Sequence, residues 1–312
     1  MRSSSLQLVG LTVMLAVAVL LVGCGEAHRS GDSGAQTDDL PRIVSLSPAA
    51  SVMLRDAGLG DRIVGRHGWD SVLDPELPVA GDQTGIDYER LIGLRPTHVV
   101  IEWGARDLPA RLRETARERS IELVEIDTLT LDDIASSAER VVSAFEDASP
   151  IDTGALVRMR DPKPAWGSVL LVVAATPTVD CLGPGSAHHE LLIAGGFTPA
   201  IASGAPWVTM SVEDAITLDP ACIVVVQPRE QAALDENTLD EDTLDEDAAP
   251  ADLAIAAIGS LARTDIRAIA LGRVVLIDDP LGLIPSTNMS SFADELWVAL
   301  DALGPLPSPR HD

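Results

Sequence analysis

The chain has 312 residues, and 48 acidic against 22 basic side chains give it a formal charge of −26. Phosphate recognition needs clustered Lys and Arg, and Lys163 is the only lysine, so the charge balance argues against nucleic acid as a partner. Hydrophobic residues make up 46% of the chain, enough for a sizeable core, but aromatics make up only 3%.

Residues 1–23 read as a leader. Arg2 supplies one positive charge, and Leu6 to Val22 is apolar apart from Gln7, Gly10 and Thr12. That length suits a signal-peptide core better than a membrane span. Small Gly23 followed by Cys24 sits where cleavage is expected, so Cys24 is the expected lipidated first residue of an extracytoplasmic, membrane-anchored chain. Residues 24–41 are rich in Gly, Ser and Asp, which predicts a flexible tether.

An N-terminal lobe is expected over 42–130. Arg42 to Leu46 reads as a strand, and Ala49 to Ala57 as a helix stopped by Gly58-Leu59-Gly60. Tyr88 to Ile101 then sets Glu89, Leu94, Pro96 and an apolar run in order: a short helix, a turn and a buried strand. Leu123 to Ile126 is a further strand. Residues 131–165 are expected to bridge to a second lobe, because Ile134, Ala138, Val141, Val142 and Phe145 recur at helical spacing. Ser149-Pro150 interrupts the pattern, which predicts a broken or two-part crossing.

The C-terminal lobe is expected over 166–305, with strands over Val169 to Ala174, Ile223 to Val226 and Val274 to Ile277, and with a helix at Glu190 to Ala194 stopped by Gly195-Gly196. Val212 to Val225 repeats the Tyr88 to Ile101 unit in register, with Glu213 in the place of Glu89. Asp87 and Ser211 stand where each helix needs an N-cap. Near-continuous apolar strands predict parallel sheets covered on both faces. The fold class is therefore α/β, with two similar, mainly parallel lobes and a ligand cleft between them. Residues 235–250 are acidic and near-repetitive, which predicts a disordered insertion, and 306–312 form a tail. Cys181 and Cys222 are expected to be free thiols.

The pieces Arg42-Ile43-Val44-Ser45-Leu46-Ser47-Pro48, Leu59-Gly60-Asp61-Arg62-Ile63-Val64-Gly65, Gly183-Pro184-Gly185-Ser186 and Ala205-Pro206-Trp207 keep an order and spacing. Together they resemble the periplasmic binding-protein family that serves vitamin B12, siderophore and haem importers, and the last piece resembles its B12-binding members. The resemblance implies two lobes joined by one long helix, with ligand held between them. It also implies that one Glu on each lobe, Glu89 and Glu213, docks on an ABC permease that works with an ATPase. The internal repeat supports the same pairing, since two equivalent groups can address a two-fold symmetric partner.

Trp69, Trp103 and Trp207 fall where a cleft is expected, after or before strands, and match aromatic cleft positions of the B12-binding members. A platform for a macrocycle follows, with a corrinoid favoured and haem or a ferric siderophore as alternatives. Further ligand-binding candidates are His67, Asp70, Arg106, His188 and Asp279, with a His able to ligate a metal axially. His189 adjoins His188 but would point elsewhere. Tyr88 is the only Tyr, which weakens the siderophore reading. Neither a dedicated metal site nor a resident cofactor is expected, and the chain is expected to be a monomer. An enzyme is the competing reading, because Ser186 precedes Ala187-His188 in a hydrolase-like setting, but the flanking Gly pattern of a nucleophile elbow is missing.

Overall fold

The computed structural model describes residues 40–82, 84–104, 106–154, 156, 158–228 and 250–307. The expected leader over 1–23, Cys24, the tether up to residue 39, the acidic insertion over 235–249 and the tail from 308 lie outside the described residues. Among the described residues no helix is long and apolar enough to cross a membrane.

The first lobe is a sheet of six strands: β1 (Ile43–Ser45), β2 (Ile63–His67), β3 (Val79–Asp82), β4 (Gly85–Ile86), β5 (His98–Glu102) and β6 (Glu122–Ile126). Their order is β4-β3-β2-β1-β5-β6, and every pair is parallel except β3–β4. Helices α1 (Pro48–Asp56), α2 (Tyr88–Gly93) and α3 (Ala110–Arg119) connect the strands. Ser47 starts α1 by accepting from the backbone N–H of Ala49, and Pro48 opens the helix where no donor is needed.

The second lobe repeats this plan. Strand β7 (Ser168–Ala175) takes the place of β1, with β11 (Cys222–Val226) and β12 (Val274–Ile277) parallel beside it as β5 and β6 lie beside β1. All five residues of β11 are buried, as a strand covered on both faces must be. Helices α5 (Ala187–Ala194) and α6 (Val212–Leu218) correspond to α1 and α2. The duplication is broken by β8 (Val179–Leu182), which turns back antiparallel on β7 and carries the antiparallel β10 (Trp207–Met210) at its far edge. A two-residue strand, β9 (Thr198–Pro199), pairs with β7. Cys181 lies inside β8, and both it and Cys222 are free and buried. Burial pushes the Cys181 thiol up to about 12, which leaves it inert.

The crossing from lobe to lobe begins as α4 (Leu131–Ser143), where Thr130 and Asp133 form a reciprocal capping box. At about 1.5 Å per residue, its 13 residues reach about 20 Å. The helix stops before Ser149-Pro150, and the described residues from 144 to 163 add no further helix. They cross by packing: Phe145 and Leu156 enter one apolar core that contains Met53 of the first lobe, Ile134 of α4 and Leu191 of the second lobe. Helix α9 (Met289–Leu303), preceded by α7 (Pro250–Ala257) and α8 (Arg267–Ala270), adds Phe292 and Trp297 to that core. A side chain at Gly195 would strike the Trp297 indole, and Gly196 has φ +81 against the Asp161 carbonyl, so this pair must stay glycine. A core shared by both lobes favours small movements of one against the other.

Candidate functional site

A cavity of about 670 Å³ opens between the lobes. The first lobe lines it with residues that follow β1 (Ser47), end or follow β5 (Glu102, Gly104) and follow β6 (Asp127, Leu129). The second lobe lines it with Leu182 of β8, His188 of α5, Trp207 of β10 and Leu283-Ile284-Pro285 beyond β12. This is the crevice at the carboxyl ends of parallel strands where open α/β sheets bind ligands.

Hydrogen bonds hold the crevice in shape. Glu102 accepts from Ser47 Oγ at 2.8 Å and from Thr128 Oγ1 at 2.5 Å, tying the ends of β1, β5 and β6 together. Across the lobes, the Ala187 N–H donates to the Leu129 carbonyl at 2.7 Å, and the Leu131 N–H donates to Glu190 Oε2 at 2.8 Å. Thr287 donates to Asp56 at a second crossing point.

Of the residues singled out in the sequence, Trp207, His188 and Ser186 line this cavity. Trp103, His67 and Arg106 line a smaller adjoining hollow, which shares Glu102 with the main one. The three tryptophans therefore do not meet in one chamber: Trp69 lines neither hollow and is 70% exposed just beyond β2. Trp166 and Trp297 pack as ordinary core indoles and donate to the carbonyls of Leu300 and Leu191. Glu89 and Glu213 are both exposed, each the second residue of its helix, behind caps from Asp87 and Ser211. Cys24 lies outside the described residues.

Two carboxylates expected to touch ligand shape loops instead. Asp70 is 6% exposed, accepts from Ser51 Oγ at 2.5 Å, and caps the turn through the N–H groups of Val72 and Leu73. Arg66 grips the same loop through the carbonyls of His67, Gly68 and Pro75. Together they fix the segment that carries the exposed Trp69. Replacing Asp70 by Ala strands the buried Ser51 hydroxyl and the turn, and is expected to cost about 1–3 kcal/mol in urea unfolding. The same variant should lower the fluorescence anisotropy of Trp69, measured with the other tryptophans replaced. Asp279 likewise accepts from the Leu281 N–H and from Asn288 Nδ2, setting the turn that presents Leu283 to Pro285.

His188 lines the cavity yet is only 2% exposed, and its Nε2 donates to the Gly282 carbonyl at 2.7 Å against the edge of Phe292. That nitrogen is committed and is not offered to a metal. Burial holds the imidazole below its ordinary pKa, so it is neutral in the fold. A folded pKa below the unfolded one means that the unfolded chain binds the extra proton. Stability is therefore expected to fall as pH drops below about 6.5, by up to about 1.4 kcal/mol per pH unit from this group. His188→Gln retains a donor for Gly282 and should flatten that slope in urea unfolding at pH 7 and pH 5.5. Equal slopes would contradict the assignment.

The hydrolase reading loses its geometry. Ser186 is the buried N-cap of α5, accepting from the His189 N–H and donating to the Gly183 carbonyl. The rings of His188 and His189 are held by the carbonyls of Gly282 and Ile201. Among the described residues no three His, Cys, Asp or Glu side chains are placed to hold a metal ion.

Sequence reasoning missed Ser47, Glu102, Asp127, Asp133 and Leu283 to Pro285. The signal was present for Ser47, Glu102 and Asp127, which end a parallel strand or follow one within two residues.

No family model matches the chain. The chain is 28% identical over 211 residues to a vitamin B12-binding protein of Photorhabdus laumondii, covering 63% of this chain and 74% of that one. It is 25% identical over 193 residues to a vitamin B12-binding protein of Vibrio parahaemolyticus, covering 59% and 70%. Among solved structures, it resembles the periplasmic haem-binding protein BhuT in complex with two haems, with TM-score 0.59 and 16% identity over 85% of this chain and 99% of that one. It also resembles the periplasmic vitamin B12-binding protein BtuF of Vibrio cholerae, with TM-score 0.58 and 18% identity over 84% and 97%. These two structural likenesses carry the fold: two α/β lobes with mainly parallel sheets.

Proposed function

Because the chain belongs to the periplasmic binding-protein family of vitamin B12 and haem importers, we propose that it is the extracytoplasmic receptor that captures a corrinoid between its lobes and hands it to an ABC permease. The relatives are binding proteins, not enzymes.

The observation that carries the choice of ligand is the lining of the main cavity. Leu129, Leu182, Trp207 and Leu283 to Pro285 offer an apolar bed, and Glu102, Asp127 and Asp133 supply its acidic groups. No Arg or Lys lines it among the described residues; Arg140 lies 3.6 Å from Asp127 but outside the lining. A corrin ring fringed with carboxamides can donate hydrogen bonds to such carboxyl groups. The two propionates of haem, or an anionic ferric siderophore, would be buried beside like charge without a partner, which is costly. Haem is the second reading, favoured by one observation: Arg106 stands in the adjoining hollow, 5.0 Å from the Trp103 ring, where a propionate could reach it.

Titration of tryptophan emission tests the proposal. Cyanocobalamin is expected to quench it saturably, and haem is not expected to compete. Competition by haem at equal concentration would favour the second reading.

Delivery follows from the duplicated docking groups and from Cys24. Glu89 and Glu213 occupy equivalent exposed positions on the two lobes and suit a two-fold symmetric permease powered by its ATPase. A lipid on Cys24 would hold the receptor at the membrane. Cys24→Ala is expected to move the chain from the membrane to the soluble fraction after export; unchanged partitioning would remove the anchor from the account.

A further inference from the structure

The smaller hollow beside the main cavity has a chemistry of its own. It occupies about 320 Å³ at the carboxyl ends of β1, β2, β3 and β5 and meets the main cavity at Glu102. That volume is at the low end for a ligand site and suits an arm of a ligand better than a ring system.

Two of its walls carry complementary groups. His67 ends β2, and its Nδ1 accepts from the Trp69 N–H at 3.2 Å, so the ring proton sits on Nε2. Nε2 has no partner among the described residues. Burial holds the ring below its ordinary pKa, which keeps it a neutral, single donor on that side. Asp82 stands on the neighbouring strand β3, where His67 pairs with Gly81. Its Oδ1 is taken by the Thr84 N–H at 2.7 Å, the Thr84 hydroxyl at 2.5 Å and the Gly85 N–H at 3.3 Å. This fixes the carboxylate and leaves Oδ2 without a partner among the described residues. Trp103 forms a further wall, with the Arg106 guanidinium 5.0 Å over its ring.

We propose that this hollow is a second subsite that reads a neutral carboxamide arm of the bound ligand, with His67 donating to its oxygen and Asp82 accepting from its nitrogen. A carboxamide donates and accepts at once, which is what the pair offers. On the wall formed by His67 and Asp82 a carboxylate arm would face Asp82, with the Arg106 guanidinium held on the opposite wall over the Trp103 ring, and an ammonium arm would face the His67 N–H. The inference rests on the corrinoid reading of the main cavity and adds a determinant that selects among chelates by their side arms.

The test uses the full chain in detergent with two kinds of probe: cyanocobalamin, and its isomeric derivatives in which one peripheral carboxamide is hydrolysed to a carboxylic acid. For at least one isomer, the wild-type chain is expected to prefer the amide by tenfold or more. Asp82→Asn keeps an acceptor for Thr84 but removes the charge, and should narrow that preference to threefold or less. His67→Ala should weaken cyanocobalamin binding about five- to tenfold, as for a lost hydrogen bond. A loss of stability alone would not shift the amide-to-acid ratio. Binding of cyanocobalamin with a ratio that Asp82→Asn leaves unchanged, or with no preference at all, overturns the subsite alone. A wild-type chain that binds none of these corrinoids overturns the subsite and the receptor reading together.

Discussion

Replacing Trp207 by alanine is expected to weaken cyanocobalamin binding about 30- to 700-fold while leaving the fold nearly untouched. Trp207 opens the edge strand β10, lines the main cavity and is 51% exposed, so its indole is poorly used by the folded chain itself. Large exposed aromatics on rigid elements act as binding anchors when a ligand buries them, and truncating such an anchor removes about 2–4 kcal/mol, at about 1.4 kcal/mol per tenfold. Its backbone pairing with Leu182 survives the substitution, so the unfolding midpoint should move little. Calorimetric titration decides the matter: an affinity within threefold of wild type would remove Trp207 from the site.

The second large effect is expected from reversing both docking charges. In the Glu89→Lys, Glu213→Lys variant, uptake by cells should fall at least about a hundredfold, because like charges set against a complementary patch cost several kcal/mol. Ligand affinity of the purified variant should stay within twofold of wild type, since neither residue lines a hollow. Each substitution also removes a carboxylate from the first turn of a short helix, at about 0.3–1 kcal/mol, which a thermal melt will register separately. Normal uptake by the double variant would end the docking assignment.

The duplicated plan was legible in the sequence because its signals are local. The apolar runs around Val99 and Ile223, the caps at Asp87 and Ser211, and the Gly195-Gly196 stop each follow from period, capping or φ. The short strands β3, β4, β8, β9 and β10 were not legible. They span two to four residues each, with no period to see, and form only by pairing along their neighbours. The same limit applies to the site. Trp207 and Trp103 stood out by scarcity, but nothing local distinguishes an Asp that faces ligand from one that caps a turn. Asp70 and Asp279 turned inward because buried turn N–H groups need an acceptor, whereas Glu102 reached the cavity because it ends a central parallel strand. Trp69 shares that partial legibility: the sequence places it beyond β2, and Arg66 and Asp70 hold its loop, but the main chamber closes without it.

The most direct test of the receptor account is native mass spectrometry of the full chain in detergent with cyanocobalamin, haem and a ferric siderophore at equal concentration. The acidic lining of the main cavity, without Arg or Lys among the described residues, predicts a single bound corrinoid per chain and no haem or siderophore adduct. A one-to-one haem or ferric-siderophore complex that excludes cyanocobalamin would contradict it.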